Sequence, residues 1–452
     1  MCSIAGIRGQ HVKKQLFSMI EVLKHRGPDA TGIYSNNKIY HDDIEDAQDS
    51  NFMLAHNLLS IVGNNEIQPL QMGNFTLAAN AEIYNFNELM KKHGFKDFKT
   101  RSDCEIILKL VEKYYENDLM EAVLKSIREL DGDYAFSITD GENYIVVRDN
   151  VGVKPVYYSR DENTFAFASE KRALREINLN DIHSLKPTHA LYNDKTIKIR
   201  EEYQRFEENI SYTHLKEMLK ENITSSVQKR VQNLDEVALL FSAGVDSTLI
   251  AVLLKRYGVD TTLYTVGTKN SQDLQYARKT ADDMGLPLKT WIIDEEIIEE
   301  NFIPTLNIIE DSNLMKLGVG MTINLTSRLA SKDGHRVMLS GQGADELFCG
   351  YNRYKRKYDN NEKLQKELEY DLNNMYHVNL ERDDKATMAN SIELRVPYLD
   401  KNVIRTALKT PTAYMLESPE DNLRKHILRD VAHELGVPEY IAYRPKKAAQ
   451  YG

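Results

Sequence analysis

VALLFSAGVDSTLI, residues 237–250, decides the reading of the C-terminal half of the chain. Its opening residues are an unbroken apolar run, as expected of a strand buried on both faces. Small residues follow (Ser242, Ala243, Gly244), and then Asp246 and Ser247 lead into a helical run ending near Tyr257. A loop of small residues closing onto a helix N-terminus suits an anion, because the backbone can approach it and unsatisfied N–H groups point at it. An ordinary strand-to-helix turn would not need Asp and Ser at those positions. The G-x-x-x-x-G-K-[ST] spacing of the Walker loop is absent.

The same alternation continues outward. Residues 215–231 read as a helix, 261–267 as a strand, 273–284 as a helix and 288–294 as a strand. This order predicts an α/β doubly wound parallel sheet, and from about residue 347 the chain reads as mainly helical. Upstream the pattern differs. Residues 61–70, 73–85, 131–140, 143–149 and 164–170 read as short strands, interrupted by helices over 12–24 and 104–115. Strands and helices in separate blocks predict an α+β domain. The weakly periodic text of residues 177–212 separates the two, giving domains at 1–205 and 212–452.

The chain has 452 residues, which fits two or three domains. Its 42% hydrophobic and 28% charged residues are those of a globular protein. Lys plus Arg (58) minus Asp plus Glu (68) gives −10, so no bulk charge draws it to nucleic acid or anionic lipid. No apolar run reaches the roughly 18 residues of a membrane span. The N-terminus lacks the layout of a signal peptide, and three cysteines cannot build a disulfide framework or a structural zinc site. These features point to a cytoplasmic protein with no nucleic-acid and no membrane partner. Cys104 and Cys349 read as small packing residues, and Trp291 implies no cofactor.

Cys2 stands directly after the initiator Met. Removal of Met1 would give it a free α-amine, a base beside an intrinsically nucleophilic thiol. The segments that follow, MCSIAGI, HRGPDATGIY, AHNLLSIVG, NAEIYN, SDCEII, LDGDYAFSI, RDNVGVKPVYY and FASEKRAL, resemble in order the class II glutamine amidotransferases over about residues 1–175. The resemblance implies an N-terminal nucleophile fold of layered αββα type. It implies Cys2 as nucleophile, Asn80 and the N–H of Ala81 as oxyanion hole, and Arg26, Asn80, Glu82 and Asp103 around the glutamine. Two departures stand out. Leu58 occupies the position of an Arg that grips the glutamine α-carboxylate, and Ala81 replaces a Gly.

The loop at 242–247 is similar to the S-G-G-x-D-S loop of ATP pyrophosphatases. With YTVGTKNSQDLQYARKTADDMGLP, LSGQGADELFCGYNRY, ERDDKATMANSIELRVPYLD and RKHILRD, the chain resembles the glutamine-hydrolysing asparagine synthetase family over nearly its whole length. That resemblance implies ATP and pyrophosphate contacts at Leu240, Ser242, Gly244, Asp246, Ser247, Val266, Ser340, Gly341 and Lys425. It implies Mg²⁺ at Asp246 and Asp345, with Arg444 and Lys446 in a last basic motif. Glutamine, ATP and a carboxylate, aspartate by resemblance, are the expected small-molecule partners. An ammonia tunnel and a homodimer are further family expectations. Gln342, where bacterial relatives carry Glu, and residues 315–320, including Lys316, depart from the family pattern. Together with Leu58 they leave open an alternative, an amidotransferase of the same fold acting on another carboxylate.

Overall fold

The computed structural model describes residues 2–41, 43–61 and 66–445. The chain divides into two compact units. The first holds residues 1–201 together with Tyr376–Ser391; the second holds Glu202–Met375 and the residues from Ile392 on.

Thirteen strands are described in the first unit: β1 (Ser3–Arg8), β2 (Ala30–Ser35), β3 (Lys38–Tyr40), β4 (Phe52–Leu58), β5 (Leu70–Met72), β6 (Phe75–Ile83), β7 (Gly132–Thr139), β8 (Tyr144–Arg148), β9 (Tyr157–Arg160), β10 (Phe165–Ala168), β11 (His183–Ser184), β12 (His189–Tyr192) and β13 (Lys195–Lys198). They form two sheets, ordered β11-β9-β10-β1-β4-β2-β3 and β13-β12-β8-β7-β6-β5. Alternate residues along each strand supply different cores. Ile4, Tyr34 and Leu54 of one sheet meet Ala78, Ala135 and Val146 of the other. Ala5, Ile7 and Ala55 face outward onto the helices Lys13–Val22 and Lys171–Glu176. Leu77, Phe136 and Val147 face the helices Glu105–Tyr114 and Leu119–Glu129. The layering is therefore αββα.

The strand reading at 61–70 is corrected in part: β5 begins at Leu70, and residues 62–65 lie outside the described residues. The helix Leu119–Glu129 is an element that the sequence reading does not include. Its start carries a physical signal, since the Asp118 side chain accepts from the Glu121 N–H at 3.0 Å.

In the second unit, β14 (Glu236–Leu240), β15 (Asp260–Gly267), β16 (Leu288–Ile292), β17 (Val337–Leu339) and β18 (Glu393–Arg395) pair in the order β16-β15-β14-β17-β18, all parallel. The last strand lies within the stretch expected to be helical. The chain steps outward from β14 to β15 and β16, then returns to β17 on the other side. The reversal creates a crevice at the carboxyl ends of β14 and β17, where open α/β sheets bind ligands. Among the described residues no helix is long and apolar enough to cross a membrane.

Candidate functional sites

Cys2 immediately precedes β1 and is buried. The β1–β4 register pairs Ser3 with Asn57, so Cys2 falls level with Leu58. Its main-chain nitrogen donates to Asn80 Oδ1 on β6 at 3.1 Å. That bond fixes the orientation of the Asn80 amide, because only the oxygen can accept. The other end, Asn80 Nδ2, is buried and has no hydrogen-bond partner. A buried donor left open costs about 1–3 kcal/mol, and here it lies on the residue bonded to the cysteine.

Several side chains hold this arrangement. Gln68 brackets Ala79, with Oε1 accepting from its N–H at 2.7 Å and Nε2 donating to its carbonyl at 3.1 Å. His56 Nε2 lies 3.2 Å from the same carbonyl. Beyond Asn80, the Ile83 N–H donates to Asp103 Oδ2 at 2.5 Å, which brings Asp103 to the end of β6. Ala81 and Glu82 lie between them, partly buried. Burial pushes the Cys104 thiol well up, and the neighbouring Asp103, Cys2 and Glu82 push the same way. One thiol thus lies close to Cys2 and to two of the residues expected around the glutamine, Asp103 and Glu82.

Arg26 is fully buried. Its Nη1 donates to Glu170 Oε1 at 2.9 Å and to Asp384 Oδ2 at 2.6 Å, and its Nε to the Cys2 carbonyl oxygen at 3.3 Å. Burial opposes its charge, but Asp384 and Glu170 outweigh that and raise its pKa. The guanidinium supports the Cys2 backbone from within the protein. The rest of the HRGPD loop closes the end of β4: the Asp29 N–H donates to Leu58 O at 3.0 Å, and Asp29 Oδ2 accepts from Ser60 N at 2.8 Å. Gly27 is needed for contact rather than for a turn. Its φ is −150°, and a Cβ there would lie 2.4 Å from the Asn57 carbonyl group. Leu58 is buried and brings no charge. Lys24 does not replace the missing cation: it binds Thr31, whose partner Asn57 points away from the Leu58 face.

In the second unit, Leu240 ends β14, Val266 and Gly267 end β15, and Ser340 and Gly341 follow β17, so all five lie at carboxyl ends of adjacent strands. Ser242 and Ser247 brace the loop between β14 and the helix Val245–Arg256, with their hydroxyls 3.3 Å apart and Gly244 as N-cap. Ala243 holds φ at +52°, a left-handed conformation that strains a residue with a Cβ. Lys425, 1% exposed, donates to Asp246 Oδ2 at 2.7 Å and pairs with Asp345 Oδ1 at 2.6 Å. Burial alone would lower its pKa, but the two carboxylates raise it. Arg424 and Lys425 both have φ of +57°, so consecutive strained residues aim this ammonium. Asp246 Oδ1 is buried with no hydrogen-bond partner.

Gly350 permits the cluster, because a Cβ there would lie 1.8 Å from Asp345 Oδ1 and 2.3 Å from Lys425 Cε. Arg444 is partly buried. It bonds Asp273 at 2.5 Å and stacks 3.7 Å from the Tyr276 ring centroid. Lys446 lies outside the described residues. Lys316 pairs with Asp311 at 2.7 Å, a partner that sequence reading missed. Gln342 is partly buried beside Ser340, whose hydroxyl accepts from its N–H at 3.2 Å.

Two predictions follow from these geometries. Burial lowers the His56 pKa from 6.5 to about 3. Below pH 6.5 the unfolded chain takes up a proton that the folded chain refuses. The stability from this residue is therefore complete above pH 6.5 and lost as the pH falls toward 3, by up to about 1.4 kcal/mol per unit. Urea unfolding at stepped pH should show this slope, and His56→Gln should remove that component. Gly350→Ala should weaken the ATP binding expected of this crevice at least about tenfold by forcing Asp345 and Lys425 apart, while leaving alkylation of Cys2 by iodoacetamide unchanged. Equilibrium dialysis and peptide mass mapping measure the two.

Comparison with known proteins agrees across both units. Residues 1–226 match the glutamine amidotransferase domain family, and residues 218–364 and 356–452 match the asparagine synthase family. A Methanocaldococcus jannaschii protein named "Putative asparagine synthetase [glutamine-hydrolyzing] 1" is 42% identical over 100% of this chain and 93% of its own length. Asparagine synthetase B [glutamine-hydrolyzing] of Escherichia coli is 28% identical over 99% of this chain and 81% of its own. Asparagine synthetase [glutamine-hydrolyzing] 2 of Oryza sativa subsp. japonica is 29% identical, over 99% and 76%. With two sites built on these two units and full-length matches to such relatives, the chain belongs to the glutamine-hydrolysing asparagine synthetase family.

Proposed function

We propose that the chain is a glutamine-dependent asparagine synthetase, an ATP-dependent carbon–nitrogen ligase that forms AMP and pyrophosphate. The observation that carries the glutaminase half is the open Asn80 Nδ2 on the residue bonded to Cys2. After loss of Met1, the Cys2 thiol adds to the glutamine side-chain carbonyl, with the α-amine as base. Asn80 Nδ2 and the Ala81 N–H receive the developing oxyanion, where each donor is worth a few kcal/mol. The proton passes to the departing nitrogen, ammonia leaves and water releases glutamate from the thioester. Asp103 and Glu82 meet the substrate α-amine, and Arg26 positions Cys2 from behind.

In the second unit the loop from Ser242 to Ser247 cradles the phosphates of ATP, with Leu240, Val266, Ser340 and Gly341 around the nucleoside. The aspartate side-chain carboxylate attacks the α-phosphorus and pyrophosphate departs. Lys425 neutralises charge that builds on that leaving group. Ammonia then displaces AMP from the acyl-adenylate. Asp246 and Asp345 fit a Mg²⁺ ion, since Asp246 Oδ1 is a buried acceptor without a partner. Such an ion would neutralise pyrophosphate charge. Among the described residues no group of three or more His, Cys, Asp or Glu side chains could hold a metal, so an ion there would take further oxygens from the nucleotide.

The test separates the two sites by substitution. Cys2→Ala should abolish asparagine formation from glutamine and keep it from ammonium. Asp246→Ala should remove pyrophosphate release with either nitrogen source. Loss of both activities in Cys2→Ala, or turnover surviving in Asp246→Ala, would overturn the assignment. A panel of carboxylic acids in the same assay fixes the acceptor.

A further inference from the structure

The helix Glu381–Met388 lies late in the sequence, between elements of the second unit, yet it packs within the first. Three groups pin this segment there. Glu381 accepts from the Tyr157 hydroxyl at 2.6 Å and pairs with Arg148 at 3.3 Å. Ser391 Oγ donates to the carbonyl oxygen of His25 at 2.7 Å. Asp384 takes the Arg26 guanidinium from both ends, Nη1 to Oδ2 at 2.6 Å and Nη2 to Oδ1 at 3.3 Å. Two of the three pins therefore grip consecutive residues, His25 and Arg26, and Arg26 is the residue whose Nε reaches the Cys2 carbonyl.

A carboxylate bonded at Nη1 alone constrains the plane of the Arg26 guanidinium less than one bonded at both terminal nitrogens. Glu170 Oε1 is shared between Arg26 and His25 Nε2, at 2.9 and 3.1 Å, and Glu170 also holds Arg172 at 2.8 Å. Glu170 thus holds Arg26 at Nη1, while Asp384 spans both terminal nitrogens and sets the plane of the guanidinium. That plane decides whether Nε points at Cys2. The pin at Glu381 touches neither Arg26 nor His25 in any contact given above, so it anchors the helix without setting this geometry.

We propose that Asp384, supplied by the C-terminal half of the chain, is a positioning residue for the Cys2 nucleophile, acting through Arg26. The assignment rests on the glutaminase reading above, and it makes glutamine hydrolysis depend on a residue only a short stretch of chain ahead of β18. Arg395 of β18 in turn accepts from the Ser340 N–H at 3.0 Å in the nucleotide crevice.

The test compares wild type with Asp384→Asn, Asp384→Glu and Glu381→Gln. Because Asp384 touches no substrate, Asp384→Asn should lower kcat for glutamine hydrolysis about tenfold while KM moves less than about twofold. Ammonium-dependent asparagine formation should stay within about twofold of wild type, which controls for folding. Asp384→Glu keeps the charge and is the variant expected to fold in any event; it should lie between the two, since its carboxylate is displaced by a methylene. Glu381→Gln, on the same helix, should leave kcat for glutamine within about twofold. Alkylation of Cys2 by iodoacetamide, followed by peptide mass, should slow in step with kcat and reads nucleophile placement even if glutamine is not turned over. Wild-type kcat and alkylation in both Asp384 variants would overturn the proposal. So would an equal loss in Glu381→Gln, which would assign the effect to helix docking. If wild type alkylates at Cys2 but hydrolyses no glutamine, the glutaminase reading fails instead, and the alkylation rates still decide the role of Asp384.

Discussion

One hydrogen bond between the two sheets of the first unit, next to that of His56 with the Ala79 carbonyl, sets the geometry at Cys2. The Cys2 nitrogen on one sheet meets Asn80 Oδ1 on the other at 3.1 Å. It fixes the amide orientation, and that orientation leaves Nδ2 as an open buried donor. The bond depends in turn on the pairing of β1 with β4, on Gln68 bracketing Ala79, and on Arg26 holding the other side of Cys2. Preorganised donors of this kind need no rearrangement when charge develops, which is why they are effective in acyl transfer.

The second unit applies the same principle with charge. Lys425 stands between two carboxylates, buried, on a backbone held in two consecutive left-handed conformations. Strain of this sort costs of order 1–3 kcal/mol per residue and persists only where the surroundings enforce it. Gly350 shows that enforcement, because no other residue fits between Asp345 and Lys425. The cation and both acids are already arranged around the crevice where β14 and β17 diverge.

Much of this is legible in the sequence. The apolar run before Ser242 and the small residues after it announce a strand, a phosphate loop and a helix, and the alternation beyond them announces a parallel sheet. The order of short motifs from Cys2 to Glu170 points to Cys2 and Asn80, and the structure brings those two residues together. What escaped reading is tertiary. Arg26 looks like a substrate ligand by motif, but Glu170 and Asp384 occupy its guanidinium, and the second of these is 358 positions away. The strand β18 is too short to show a period. The helix Leu119–Glu129 had its signal in Asp118, a capping residue easily taken for turn punctuation. The inclusion of Tyr376–Ser391 in the first unit is accompanied by the long-range pairs Arg26–Asp384 and Arg148–Glu381, which no local pattern encodes.

The most direct measurement is isotope transfer in the intact protein. Purified enzyme is incubated with ATP, Mg²⁺, aspartate and glutamine carrying ¹⁵N in its side-chain amide, and the products are read by mass spectrometry. The account predicts ¹⁵N-asparagine, with AMP and pyrophosphate in equal amounts, despite Leu58 level with Cys2 and Gln342 beside Ser340. Asparagine formed only from added ammonium would contradict the claim that the buried Cys2–Asn80 pair is a working glutaminase.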